Sequence, residues 1–187
     1  MGVTRIIVLL AGVGLALLVG YGVINTTPIE EETVELEVEP VDITKEFGSL
    51  GDEHAHALIL VGIFGDQFDF SISAYQLKSD WIHLEGKRGD LIHRHASGVP
   101  LGFLFDTLGI GLTDECYILP DGLQFCTDEN YSLKFYINRE QIEDITNYVI
   151  NQGDRILISY GDETEEEIEM QLFHLEQLMT LEGLQKV

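Results

Sequence analysis

Three kinds of hydrophobic pattern follow one another along this chain. The first is an unbroken apolar run, Ile6 to Ile24 (IIVLLAGVGLALLVGYGVI), nineteen residues without a charge. At ~1.5 Å per residue such a helix covers ~28 Å, close to the ~30 Å of a bilayer core. The second is a set of short alternating runs between residues 54 and 161, which predict strands. They include HAHALILV, WIHLEG, LIHRH, LKFYIN and RILISY. One helical repeat interrupts them: in Val99 to Leu108, Leu101, Leu104, Phe105 and Leu108 recur at three and four, with Gly109 in the terminating position. The third is a single amphipathic helix over residues 163–183. Thr164 and Glu167 form its capping box, and Ile168, Leu172, Leu175 and Met179 form its apolar stripe.

These patterns predict four segments. Residues 1–25 read as a transmembrane anchor, 26–53 as an acidic extended linker, 54–161 as an extracytoplasmic α+β domain, and 162–187 as an amphipathic C-terminal helix with an acidic start. Arg5 before the apolar run and Glu30, Glu31 and Glu32 after it place the N-terminus in the cytoplasm and the rest outside the cell membrane. The competing reading of the run is a cleaved signal peptide. The stripe on the last helix has two uses as well, covering the domain's own sheet or joining a partner helix in self-association or a membrane complex.

Charge sharpens this division. The chain of 187 residues has 33 acids against 10 Lys and Arg, a net charge of −23. Residues 30–53 carry −9 of it and residues 162–187 carry −7, so the central segment, at −8, is only mildly acidic. Nucleic acid is excluded as a partner, because such a surface repels phosphate.

The two cysteines, Cys116 and Cys126, flank the turn signal Pro120-Asp121-Gly122. A hairpin folded there sets them opposite each other, and an extracytoplasmic pair oxidises to a disulfide. Thiol–disulfide exchange is the weaker reading, since the pair lacks the Cys-x-x-Cys spacing that lowers a thiol pKa.

Histidine carries the chemistry. Five of six fall within 42 residues: His54, His56, His83, His93 and His95. On a strand, residues two apart share a face, so His54 and His56 form one pair and His93 and His95 another. The turn signal GKRGD folds WIHLEG against LIHRH, bringing His83 and Glu85 toward the second pair. Five imidazoles and a carboxylate suit Cu(II) or Zn(II). The bland alternative is a solvated sheet face. His174, on the last helix, stands apart.

The ordered motifs HAHALILV, DFSISAYQ, IHLEG-x-x-GDLIHRHASGVPLGFLFDTLG, the cysteine pair, LKFYIN and GDRILISYG resemble an uncharacterised family of membrane-anchored archaeal proteins, frequent in ammonia-oxidising archaea and sometimes labelled protein-disulfide isomerase. The resemblance covers residues 50–162 and implies a tethered extracytoplasmic domain. The closing part is similar to a β-grasp arrangement. The leading functional expectation is a membrane-tethered binding module holding Cu or Zn. Its rivals are an accessory or assembly subunit of a membrane complex without metal and, behind that, a thiol–disulfide oxidoreductase or other enzyme.

Overall fold

The computed structural model describes residues 47–182. Among them are ten strands and two α-helices, in the order β1 (Ala55–Ile63), β2 (Asp66–Gln67), β3 (Ile82–Leu84), β4 (Leu91–Arg94), α1 (Leu101–Thr107), β5 (Gly111–Leu112), β6 (Cys116–Ile118), β7 (Gln124–Cys126), β8 (Ser132–Ile137), β9 (Glu140–Ile142), β10 (Asp154–Gly161) and α2 (Glu165–Glu182).

The main sheet runs β3-β4-β1-β10-β8-β9, with β2 pairing the end of β1. Its two central strands, β1 and β10, are parallel, in the register Ala57 to Asp154 through Ile63 to Tyr160. The other strand pairs in this sheet are antiparallel. The central pair is buried on both faces, which explains why LILV and ILIS are nearly continuous apolar runs. The flanking β8 alternates instead, with Leu133, Phe135 and Ile137 turned inward.

Each sheet face has its own core. Ala57, Ile59, Val61, Ile82, Leu84, Ile92, Ile156 and Ile158 share the larger cluster with Leu101, Leu104 and Phe105 of α1 and with Tyr117 of β6. Gly109, at φ 72°, ends α1 in the left-handed conformation that glycine adopts without strain. On the opposite face Leu58, Leu60 and Leu157 meet Ile168, Leu172, Leu175 and Met179 of α2. The capping box of α2 forms: the Thr164 amide donates to Glu167 Oε2 at 2.8 Å, and the Glu167 amide donates back to Thr164 Oγ1 at 3.3 Å. A second sheet, β5-β6-β7, holds the disulfide between the directly opposed Cys116 and Cys126.

Two expectations are corrected. The first is the fold class, α+β with a β-grasp-like domain behind a transmembrane helix. The domain is mostly sheet, with two helices on opposite faces of the main sheet. The cysteine hairpin belongs to a separate three-stranded sheet. Among the described residues no helix is long and apolar enough to cross a membrane. The 18-residue α2 has the length, but Glu165, Glu166, Glu167, Glu169 and Glu176 exclude it from hydrocarbon. The apolar run 6–24 lies outside the described residues. The second correction concerns the partner stripe. Ile168, Leu172, Leu175 and Met179 are buried on the chain's own sheet, because β1 and β10 present Leu58, Leu60 and Leu157 on that side.

Residues 47–53, at the end of the acidic segment, are tied to the domain. Phe47 packs edge-on against Phe103 at 4.9 Å, and the Gly48 amide donates to the Ser97 carbonyl at 2.9 Å.

Candidate metal centre

Strand alternation and register together assemble the histidines. His56 is the register partner of His93 across β1 and β4, and His93 is the partner of His83 across β4 and β3. Three imidazoles therefore form a row over three adjacent strands. His54 precedes β1 and His95 follows β4, which places both one step along the same face. The apolar residues of that face, Leu58, Leu60 and Leu91, pack with α2. Ile82, Ile92 and Arg94 alternate with the histidines and point into the other core.

The rings are close. Centroids lie 4.6 Å apart for His54 and His56, for His54 and His95, and for His56 and His93, and 5.0 Å for His83 and His95. One ligand atom from each of His54, His93 and His95 lies within 4.8 Å of the other two, so this trio could hold a metal ion. Nitrogens on a shared tetrahedral ion with bonds of ~2.0 Å stand ~3.3 Å apart.

Burial keeps three of the rings, His56, His93 and His95, in the form that binds metal. It pushes the His93 ring down to about 4, with His56 as the next cause. It also lowers His56, followed by the effect of His54, and lowers His95, followed by His83 and His54. Neutral imidazole has the free lone pair that a metal needs.

Glu85 enters from the β3–β4 turn. Its Oε2 is 3.6 Å from His83 Nε2 and its Oε1 is 3.7 Å from His93 Nε2. Both spans exceed a hydrogen bond. His83 is nearly buried, and its Nδ1 lies 2.7 Å from the Ser79 carbonyl. A carbonyl only accepts, so Nδ1 carries the proton and Nε2 faces the cluster. That Nε2 is buried without a hydrogen-bond partner.

A polar scaffold behind the sheet fixes the two strand ends. Arg94, 1% exposed, makes a forked pair with Glu53 at 2.9 and 3.0 Å, and it donates to the Ile150 carbonyl from Nε and Nη2. This pairing holds the Glu53 carboxyl below its usual range. The Gly51 amide donates to the His95 carbonyl at 2.6 Å, and the Gly153 amide donates to that of His56 at 2.8 Å. The backbones carrying His54, His56 and His95 are therefore held from both sides. The alternation of LIHRH already signals that Arg94 faces away from the histidines. Its pairing with Glu53 has no sequence signature.

The remaining candidates lie apart from this cluster. Cys116 and Cys126 are joined and offer no thiolate. His174 lines a separate groove with Glu163 and Met170. Comparison of the chain with family models, with curated proteins and with solved structures gives no match.

Proposed function

We propose that the domain is a metal-binding module that holds Cu(II) or Zn(II) on His54, His93 and His95. The observation that carries this reading is the convergence of three ligand atoms within 4.8 Å from two strands and their ends. The donor chemistry supports the choice of metal. Imidazole suits both ions, and copper is bound more tightly by nitrogen donors at equal free concentration. His56 flanks His54 and His93, and it adds a fourth nitrogen at the edge of the site. The disulfide supports an oxidising compartment outside the cytoplasm.

The test is elemental analysis of the purified full chain after loading with Cu(II) or Zn(II) and desalting. At least one ion per chain is expected, with that ion lost in the double variant His54→Ala/His95→Ala. A chain that retains no ion, or a double variant that retains as much as the parent, refutes the reading.

A further inference from the structure

Six donors surround this face, more than one four-coordinate ion takes. Glu85 and His83 are the two that the trio of His54, His93 and His95 leaves out on the β3 side. Their mutual arrangement is unusual. With Nδ1 donating to Ser79, His83 turns its Nε2 toward a carboxylate oxygen 3.6 Å away. Two acceptors facing each other repel unless a positive species lies between them. The 3.6 Å span from Glu85 to His83 is also near the ~3.3 Å that separates ligand atoms sharing one ion.

We propose that the cluster takes a second metal ion, on His83 Nε2 and Glu85, beside the one on His54, His93 and His95. This inference rests on the metal-binding reading above. His93 stands between the two sets, its ring 5.8 Å from that of His83 and 6.4 Å from that of His54. The second position has the features of a built ligand set. The His83 ring is oriented by a backbone carbonyl, the usual outer support of a metal-binding imidazole. Its Nε2 is buried and has no hydrogen-bond partner among the described residues. Glu85 brings a negative charge that the all-imidazole set lacks, which favours a divalent ion at close range to the first. The carboxylate sits on a tight turn, where the Arg88 amide donates to the Glu85 carbonyl at 3.0 Å and Gly86 and Lys87 both have positive φ.

The competing occupant of the gap is a proton, giving an imidazolium–carboxylate pair. Stepwise calorimetric titration of the full chain with Zn(II) distinguishes the two. Two equivalents are expected. Glu85→Gln, at a half-exposed position where folding is undisturbed, and His83→Gln should each weaken the second equivalent at least tenfold and leave the first unchanged. His54→Ala/His95→Ala should abolish the first. A single equivalent in the parent chain overturns the second ion, whichever variants remove it. If His54→Ala/His95→Ala alone removes that equivalent, the metal-binding reading survives. No uptake at all overturns both.

Discussion

His56 and His93 are direct partners across β1 and β4, their rings edge to face with centroids 4.6 Å apart. Burial lowers the affinity of both rings for a proton; the next cause is His56 for His93 and His54 for His56. The pair therefore stays neutral in acid that would charge free imidazole.

Acid should consequently unfold the metal-free domain through His93. In the unfolded chain this ring titrates near 6.5, and in the folded chain at about 4. The contribution is fully present above pH 6.5 and is lost as the pH falls toward 4, up to about 3 kcal/mol. Urea melts at pH 7 and pH 4.5 should show this loss, and His93→Gln should remove most of it. An unchanged difference in the variant would assign the acid sensitivity elsewhere.

Arg94 should matter to stability through its buried hydrogen bonds. Arg94→Leu leaves the Ile150 and Ala96 carbonyls without their donor and frees the Glu53 end. A cost of about 2–3 kcal/mol is expected, because two buried carbonyls lose their donor. Metal affinity should fall as well, because His54 follows Glu53 directly. Chemical denaturation and metal titration of the same variant check both effects.

The disulfide should stabilise the domain without shaping the metal centre. Cys116→Ser/Cys126→Ser opens a loop closed at a sequence separation of 10 and should cost about 2–3 kcal/mol. The bridge belongs to the β5-β6-β7 sheet, while the histidines of the cluster lie on strands of the other sheet or next to their ends. Thermal melting should shift down with metal stoichiometry unchanged.

The apolar stripe of α2 should behave as core. Leu175→Ala, at a fully buried position, should cost about 2–4 kcal/mol, whereas Phe173→Ala, 57% exposed on the same helix, should cost under about 0.5 kcal/mol. Equal effects at the two positions would contradict the packing of α2 on the sheet.

Much of the centre is legible in sequence because strand alternation has a period of two. His-x-His on an apolar run fixes a shared face, and the GKRGD turn pairs His83 with His93. The turn between Cys116 and Cys126 is equally local. What local pattern does not encode is which distant strands become neighbours. The parallel partner of β1 is β10, and nothing in LILV or ILIS specifies that union beyond burial on both faces. The same limit hides the pairing of Arg94 with Glu53, 41 residues apart, and that of Asp154 with Asn138 and Tyr148. The extra helix-covered face escapes for a related reason: an apolar stripe states that something covers it, not what.

The parallel union at the centre of the sheet also sets an order of events during synthesis. Ala57 leaves the ribosome about a hundred residues before its neighbour Asp154, a delay of roughly 5–20 s at ordinary elongation rates. The histidine strands β1, β3 and β4 are complete long before that. Through the interval the open edge of β1 presents Ala57 to Ile63 as an unpaired template for other chains. A nascent chain of this protein is therefore most exposed to misassembly just when its ligand set is already in hand, and a fragment ending before Asp154 should aggregate where the full chain does not.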